Sequence, residues 1–491
     1  MCSALLKCLK NRTLTLVVKE FESRSMYKCL RRQQPAMYDT IVVGLGAAGA
    51  SAASTLAHAG RRVLALEAQD RVGGRVWTQR VPGGVVELGA EWIHGEVSSS
   101  VFHLAKQNNV PLKVQELTFE VYRSDGSCTD RELMTELINY CLGVMEEGSE
   151  EEVSLGELIE RKFLAYLSRT HPHLLDDADF LSNFLELMNL LVVNHEAADD
   201  WRQVTARSQY APLEGEQHVS WAERGYCTLF DILLNTYNNG PGLPTLDMKL
   251  NAEVTSIQWS DSGVVVTCAD GARYSADNVI VTVSLGVLKE RHASLFSPAL
   301  PAGHAAAVRA LAIGTMDKVV LAFPRRWWTK QASFFGFLWR DRDRRTLATE
   351  DRWVTKIFGA SNPMGAENTL TLWTSGEVGR MVETMPEHVV RDKLVALLQR
   401  FVGGDVTVPQ PTHVIRSTWY SNPFTRGSYS YDSAGSSAAA RRALATPLGA
   451  GGTPRVLFAG EATDPTHFST VHGAMDSGRR EARRLLPHSK I

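Results

Sequence analysis

The chain has 491 residues, 44% of them hydrophobic and 22% charged, with a formal net charge of −2. This length is enough for two or three domains with separate cores, and the balanced charge excludes a protein that holds nucleic acid through bulk positive charge. The cysteines are scattered without C-x-x-C spacing, which favours a reducing compartment and predicts no metal site, and no apolar run is long enough to span a membrane.

The two ends of the chain carry candidate targeting signals. Residues 1–36 are rich in lysine and arginine and poor in acidic residues. We interpret them as a disordered leader, and a mitochondrial transit segment is the less favoured alternative. Ser489-Lys490-Ile491 differs from the peroxisomal Ser-Lys-Leu signal in its last residue, and a chance polar tail is the alternative. The expected location is therefore cytoplasmic or peroxisomal.

A dinucleotide-binding βαβ unit is predicted over the first part of the chain after this leader. A short β-branched strand from Tyr38 leads into a G-x-G-x-x-G run, a small-residue helix and a second strand that ends at Glu67. Gly44 allows the tight turn, Gly46 lets a pyrophosphate approach the backbone, and Gly49 lets the helix pack on the strand. The N-terminus of the helix offers N–H groups to phosphates. Glu67 can accept hydrogen bonds from a ribose.

The remaining segments alternate between helical and strand patterns. Residues 101–240 are mostly helical in pattern, and residues 250–287 change to a strand pattern with a turn at Ala269-Asp270-Gly271. Residues 386–402 predict an amphipathic helix. A strand–glycine–helix pattern over residues 455–486 indicates that the chain returns to the first sheet.

Three further segments carry residues suited to a dinucleotide with a flat ring. The glycines before Arg75 let backbone approach a pyrophosphate from a second side, and Arg75 itself can bind it. Small Gly89 and Ala90 let the chain pass against a ring. Glu461 suits a ribitol hydroxyl, and the helix after His472-Gly473 can direct its positive end at an electron-rich ring edge.

Together with the βαβ unit, these segments resemble the flavin-dependent amine oxidase family over residues 38–487. Within the family, several motifs are similar to the animal polyamine oxidases, a group that includes N1-acetylpolyamine and spermine oxidases. These motifs are W-I-H-G at 92–95, I-G-T-M-D-K at 313–318, W-Y-S-N-P at 419–423, R-G-S-Y-S-Y at 426–431 and F-S-T-V-H-G at 468–473.

The resemblance implies an α/β fold with a discontinuous Rossmann-like FAD-binding domain and a mixed α+β substrate domain. The first would comprise residues 37–95, 245–290 and 450–487, and the second residues 96–244 and 291–449. FAD is the implied cofactor. The residues that match its contacts are Gly44, Gly46, Ala48, Gly49, Glu67, Ala68, Gly74, Arg75, Gly89, Ala90, Glu91, Trp92, Val254, Trp419, Gly460, Glu461, Thr470 and Val471.

The resemblance also implies the catalytic and substrate residues. Lys318 matches the lysine that holds a water against flavin N5, and its alternative is a surface lysine at the start of a strand. His94 matches an active-site histidine, and its alternative is a core histidine bonded to backbone. Tyr429 and Trp419 match rings at the flavin, which suit a cationic alkyl substrate. Tyr210 matches a substrate-site tyrosine more weakly.

Three positions depart from the family pattern. Met316 stands where an asparagine often precedes the lysine, Leu191 stands where a substrate-reading glutamate is expected, and Val471 replaces a second threonine. Nearby acidic residues could replace the glutamate or form a solvated face; they are Glu196, Asp199 and Asp200.

The implied reaction is the oxidation of a polyamine, either spermine, spermidine or an N1-acetylated form. Hydride passes to flavin N5, the imine is hydrolysed to an aldehyde and a shorter amine, and O2 is reduced to H2O2. The enzyme alternatives are a histone-lysine demethylase, an amino-acid oxidase and a monoamine oxidase. A flavin-binding protein without turnover is the alternative from another class, against which the retained Lys318 argues. The sequence leaves the preferred polyamine and the oligomeric state open.

Overall fold

The computed structural model describes residues 38–330, 332–449 and 451–487. The predicted leader and the C-terminal tripeptide both lie outside these residues. The strands in chain order are β1 (Tyr38–Val43), β2 (Val63–Leu66), β3 (Thr78–Val81), β4 (Gly84–Glu87), β5 (Trp92–Ile93), β6 (Lys113–Val114), β7 (Phe119–Arg123), β8 (Val219–Ser220), β9 (Leu246–Lys249), β10 (Val254–Ser260), β11 (Gly263–Cys268), β12 (Arg273–Val281), β13 (Phe296–Ser297), β14 (Ala312–Ile313), β15 (Met316–Ala322), β16 (Phe334–Leu338), β17 (Gly359–Ser361), β18 (Thr369–Ser375), β19 (His413–Arg416), β20 (Ser430–Tyr431) and β21 (Val456–Phe458).

The α-helices are α1 (Ala47–His58), α2 (Ser100–Gln107), α3 (Arg131–Glu147), α4 (Leu155–Thr170), α5 (Ala178–Glu196), α6 (Thr228–Leu233), α7 (Leu285–Leu295), α8 (Ala302–Ala310), α9 (Asp341–Arg345), α10 (Gly376–Thr384), α11 (Glu387–Leu398), α12 (Ala438–Leu444) and α13 (Val471–Arg484). Short 3-10 segments connect several of them, and the predicted helix over 386–402 is α11 followed by a π-turn at Gln399–Gly403. Among the residues described, no helix is long and apolar enough to cross a membrane.

The first sheet has the order β13-β10-β11-β12-β1-β2-β9, with β21 also paired to β12. Strands β9, β2, β1, β12 and β21 pair with one another in parallel, and β10, β11 and β12 form the antiparallel meander. The continuous apolar runs of β1 and β2 suit parallel strands that are covered on both faces. Val456 lies opposite Val279, so the predicted return of the chain to this sheet is confirmed.

Helices α1 and α13 pack together on one face of the first sheet. A Cβ at Gly478 would lie 2.0 Å from the Ala48 carbonyl oxygen, so glycine is needed for this close approach. Ala50, Ala52 and Ala53 of α1 are fully buried. The small residues of α1 therefore serve close helix packing as well as the turn before them.

The second sheet has the order β19-β15-β18-β17-β16-β7. Strand β15 is buried along its whole length because β18 and β19 flank it. One hydrophobic core lies between this sheet and α11, and another joins the sheet to helices α3, α4 and α5. The region 101–240 contains this helical layer as predicted, and it also contains strands β6, β7 and β8.

The molecule is an α/β protein with a Rossmann-like parallel sheet and a second, mixed unit, as predicted. Strands from the three segments predicted as cofactor-binding lie in the first sheet, and β13 joins them from the segment 291–449. Strand β12 begins at Arg273, earlier than the strand pattern indicates. The domain boundaries stay a prediction.

Candidate functional site

A single cavity of 1070 Å³ extends from the first sheet to the second sheet and the helical layer. Its wall includes the carboxyl ends of β1, β2 and β12, where open α/β sheets bind their ligands. The volume is at the upper end of the roughly 300–1,000 Å³ that is usual for a ligand site. It is large enough for a dinucleotide and a second small molecule.

The glycines at the start of α1 have different physical roles. Gly44 has a φ of +95°, and a Cβ at Gly49 would lie 1.9 Å from the Gly44 carbonyl oxygen. A Cβ at Gly46 would have Gly73 O as its nearest neighbour, at 3.8 Å. Gly49 is therefore needed for packing, whereas Gly46 borders the cavity and leaves space for a ligand. This is the fit expected for a pyrophosphate at a helix N-terminus.

Glu67 is held rigidly at the end of β2. Its Oε2 accepts a hydrogen bond from Leu45 N at 2.6 Å, and its Oε1 accepts one from Gln69 N at 2.9 Å. The carboxylate is buried yet lies in the cavity wall. It is therefore oriented for a ribose before any ligand arrives.

Glu461 lies in a buried polar network just after β21, at the same carboxyl edge of the sheet as Glu67. Its Oε1 accepts from Arg75 Nη1 at 2.9 Å, and its Oε2 accepts from Ser430 Oγ at 2.6 Å and Ser469 N at 2.9 Å. Burial opposes ionisation, but Arg75, Ser430 and Arg441 together hold the pKa of Glu461 below its usual value. Arg75 and Glu461 both line the cavity as a pair.

The N-terminus of α13 faces the cavity. Thr470 is the N-cap, and its Oγ1 accepts from Gly473 N at 3.0 Å and donates to His467 O at 2.6 Å. Thr470 and Val471 are in the wall. The partial positive charge of the helix therefore points at an electron-rich group bound here.

Lys318 is the most buried charged group of the wall. It is 1% exposed, and its Nζ donates to Glu91 Oε2 at 2.7 Å, Gly89 O at 2.9 Å and Glu87 O at 3.0 Å. Nζ also lies 4.5 Å from the ring centroid of Trp373. Three acceptors match the three N–H groups of an ammonium. The alternative of a surface lysine is wrong.

His94 lines the cavity as a neutral imidazole. Desolvation lowers its pKa to about 4, although the Gln217 carbonyl accepts from Nδ1 at 2.7 Å. With the proton on Nδ1, Nε2 is left as a hydrogen-bond acceptor. His218 lies beside it at 6.3 Å between ring centroids, and burial lowers its pKa to about 4 as well.

Aromatic rings form much of the wall near these groups. Tyr429 donates from its hydroxyl to Asn194 O at 2.8 Å, which fixes the ring. Trp92 stacks on Trp373 with 6.0 Å between ring centroids, and its Nε1 donates a hydrogen bond to Gln115 Oε1. Burial raises the pKa of Tyr210 to about 12, so its phenol stays protonated.

The structure places nearly every residue identified from the sequence in this one wall. The lining residues among them are Gly44, Gly46, Ala48, Glu67, Ala68, Gly74, Arg75, Gly89, Ala90, Glu91, Trp92, His94, Tyr210, Val254, Lys318, Trp419, Tyr429, Gly460, Glu461, Thr470 and Val471. Gly49 does not line the cavity, because it packs against the Gly44 carbonyl and Thr282 instead. The individual contacts to the cofactor stay a prediction.

The three acidic residues considered as a replacement for the missing glutamate differ in position. Glu196 lines the cavity, as does Leu191. Asp199 instead forms an ion pair with Arg380 at 2.9 Å, and Asp200 accepts from Arg202 N at 2.8 Å. Glu196 is therefore the member of this set that a cavity ligand can reach.

Sequence reasoning missed other wall residues. They come from separate elements and include Thr282, Ser284, Phe334, Phe358, Trp373 and Phe424. None follows a local motif, because each reaches the cavity only through the order of strands in the two sheets. Among the described residues, no cluster of three histidine, cysteine or acidic side chains could hold a metal ion.

Comparisons with known proteins agree with this geometry. A family model described as flavin containing amine oxidoreductase matches residues 47–486. The peroxisomal N(1)-acetyl-spermine/spermidine oxidase of Homo sapiens is 32% identical over 91% of this chain and 94% of its own length. Protein anon-37Cs of Drosophila melanogaster is 30% identical over 91% of the chain and 90% of its own. The lysine-specific histone demethylase 1 homolog 2 of Oryza sativa subsp. japonica is 31% identical over 92% of the chain but 57% of its own.

Proposed function

Since the chain belongs to the flavin-containing amine oxidoreductase family, whose cofactor is FAD, we propose that it oxidises a polyamine. The observation that carries the proposal is the meeting of two sheets at Lys318. The glycine cradle, which is the open backbone turn at Gly44 and Gly46, lies in the wall of the same cavity as the ammonium of Lys318. A redox cofactor held at the cradle can therefore meet an amine held by the second sheet and the helical layer.

Bound FAD would supply the redox chemistry: a hydride would leave the C–H bond next to the amine nitrogen, a proton would leave the nitrogen, and O2 would be reduced to H2O2. The protein's own groups orient the two reactants and control the local charge. Gly46, Glu67 and Glu461 are the residues suited to hold the phosphates, ribose and ribitol. Thr470 caps the N-terminus of α13, whose partial positive charge would stabilise an electron-rich group of a cofactor bound there.

The wall of the cavity supports a cationic, alkyl substrate. Tyr429 and Trp373 offer aromatic faces to methylene and ammonium groups. Glu196 supplies a carboxylate that is hydrogen-bonded to His195 Nδ1 at 3.1 Å and lines the same space. His94 Nε2 can accept a hydrogen bond from a substrate N–H. Lys318 can hold a water at the reacting nitrogen only if that water replaces one of the three acceptors of its Nζ.

The test is anaerobic stopped-flow absorbance of the FAD-loaded protein. Spermine, spermidine, N1-acetylspermine, a monoamine, an amino acid and a methyl-lysine peptide would be mixed with it in turn. We expect one polyamine to bleach the flavin fastest, and Lys318→Met to slow that bleaching by roughly a hundredfold or more. Bleaching by the peptide alone would instead favour the activity that the rice relative's name describes. Bleaching by none would contradict an amine oxidase of these classes.

We also propose a peroxisomal location and a two-domain organisation. The human and bovine relatives are named as peroxisomal, and Ser489-Lys490-Ile491 is close to a peroxisomal signal. A fluorescent protein fused to the N-terminus, with and without these last residues, tests the location. We expect punctate fluorescence to become diffuse on their removal. Limited proteolysis tests the boundaries near residues 95, 245, 290 and 450.

A further inference from the structure

Lys318 does not stand alone in the cavity wall, because Glu91 forms an ion pair with it. Glu91 Oε2 lies 2.7 Å from Nζ, and the side chains are 7% and 1% exposed. Both residues line the cavity. A buried ion pair of this kind is neutral as a whole, and removal of one partner leaves an uncompensated charge.

The two residues come from distant elements. Lys318 lies on β15 in the second sheet, whereas Glu91 belongs to the segment from the end of β4 to β5 that also supplies the carbonyls of Glu87 and Gly89. All three bonds of Nζ therefore go to one short segment. This segment, residues 87–91, determines where the ammonium lies.

Few other charged groups face the pair. The Glu87 carboxyl lies on the same segment, and burial raises its pKa to about 7, although hydrogen bonds from Tyr226 N and Thr78 oppose the shift. Asp317 precedes Lys318 on β15 and accepts from Ser417 Oγ and Trp419 N. Burial and the nearby Glu383 raise the pKa of Asp317 well above its usual range. Glu91 is thus the carboxylate in direct contact with Nζ.

We propose that Glu91 is the positioning residue of Lys318. Its carboxylate holds Nζ against the 87–91 segment and cancels the charge of the ammonium beside the bound cofactor. The unit that acts on the substrate is then a lysine–glutamate pair, not an isolated lysine. This inference rests on the proposed function, in which Lys318 lies beside the flavin.

The charge of the pair predicts a series of flavin midpoint potentials. The pair has a net charge of zero in the wild type and in the Lys318→Met/Glu91→Gln double variant, +1 in Glu91→Gln and −1 in Lys318→Met. Positive charge favours the reduced, more negative cofactor. We expect Glu91→Gln to shift the potential upward, Lys318→Met to shift it downward, and the double variant to lie near the wild type.

The rate of flavin reduction distinguishes the position of Lys318 Nζ from the net charge of the pair. Glu91→Asp keeps the charge but shortens the side chain by one methylene, so Nζ moves or loses its partner. We expect a potential near that of the wild type and flavin reduction slowed by roughly ten- to a hundredfold. We also expect Glu91→Gln to change the pH profile of flavin reduction. The rate of flavin reduction in Lys318→Met should change little when Glu91 is also replaced, although the potential moves.

Glu481→Gln is the matched control. Glu481 is fully buried and ion-paired with Arg480 and Arg484 on α13, but it does not line the cavity. We expect it to lower the melting temperature without moving the potential or the pH profile. Glu87→Gln, measured in parallel, identifies any titration that belongs to Glu87.

The outcomes distinguish the inference from the function. If Glu91→Gln and Glu91→Asp both keep wild-type potential, pH profile and rate while Lys318→Met is impaired, Glu91 has no positioning role and the proposed function stands. If Glu91→Gln does not fold, the double variant and Glu91→Asp still carry the comparison. If no amine reduces the wild-type flavin, the function fails, and the potential series still tests the pair.

Discussion

At the scale of single residues, burial decides which groups of the site can exchange protons. His94, His218 and His472 all have their pKa lowered by burial, to about 4, about 4 and about 3. They are neutral across the range in which an enzyme normally works. The wall therefore offers His94 and His218 as neutral hydrogen-bonding groups, whereas burial of His195 is outweighed by Glu196 and the pKa of His195 is raised. A substrate ammonium must lose its proton to His195, to water or to another base.

Replacement of His94 by glutamine tests this reading. Because the pKa of His94 is about 4, its imidazole is already neutral above about pH 5. We expect His94→Gln to slow flavin reduction by roughly tenfold, through a lost hydrogen bond. The pH profile between about pH 6 and 10 should keep its shape. Disappearance of a limb of the profile would contradict a neutral His94, and stopped-flow absorbance across this range measures it.

Glu87 makes stability depend on pH with the opposite sign to an ordinary salt-bridged carboxylate. Burial raises its pKa from 4.5 to about 7, despite hydrogen bonds from Thr78 and Tyr226. The protonated Glu87 carboxyl therefore contributes its full share of the unfolding free energy below about pH 4.5. This contribution is lost as the pH rises through about 7, because the buried carboxyl must then ionise.

Glu87→Gln removes this titration. We expect the variant to gain on the order of 2 kcal/mol relative to the wild type between pH 5 and 8. Denaturant unfolding of both proteins at several pH values measures the difference. A difference that stays constant with pH would show that Glu87 is ionised in the folded protein throughout.

At the scale of elements, the ends of helices and strands place the chemistry. Helices α1 and α13 both begin at the cavity, one beside Gly46 and the other at Thr470. Strand β15 carries Lys318 to the same place because β18 and β19 cover it on both sides. Each element is buried elsewhere along its length, so the site is held by packing.

The N-cap of α13 should contribute to both stability and cofactor retention. We expect Thr470→Ala to cost about 1 kcal/mol of unfolding free energy through the lost cap. We also expect it to weaken FAD binding several-fold. Ser154→Ala is the control, because Ser154 caps α4 in a capping box with Glu157 and does not line the cavity. It should lose similar stability but bind FAD as the wild type does.

At the scale of the whole molecule, the cavity lies between two sheets, each built from several separate segments of the chain. Its wall draws on the first sheet, the second sheet and helices α3 and α5. A bound cofactor therefore contacts several parts of the fold at once. Binding should stabilise the protein against unfolding in proportion to affinity, by about 2.7 kcal/mol at a hundredfold excess over Kd.

Two glycine variants distinguish an effect on folding from an effect on cofactor binding. Gly46→Ala places its Cβ at 3.8 Å from the nearest protein atom, whereas Gly49→Ala places it 1.9 Å from a backbone oxygen. We expect Gly46→Ala to leave the apoprotein within about 1 kcal/mol of the wild type and to abolish most stabilisation by FAD. Gly49→Ala should destabilise the apoprotein itself. Thermal unfolding with and without FAD measures the stability of each apoprotein and its stabilisation by FAD. If the two variants change both quantities equally, Gly46 does not have a separate role in binding the cofactor.

Spacing along the chain is enough to predict the part of the cavity wall suited to a cofactor. The turn at Gly44, the helix at Gly46 and the carboxylate at Glu67 are set by spacing within one βαβ unit, where geometry is local. The return of β21 to the first sheet also followed from a strand–glycine–helix pattern. Family resemblance, more than pattern, pointed to Lys318 and His94.

The neighbours of Lys318 and His94 follow from the way distant segments pack together. Glu91 meets Lys318 because β15 and the 87–91 segment lie side by side, although far apart in the chain. Trp373 lies opposite Lys318 because of the register of β18. Glu196 reaches the cavity while Asp199 turns to Arg380, a difference set by the end of α5. Contacts between distant segments depend on strand order and register, which spacing along the chain does not encode.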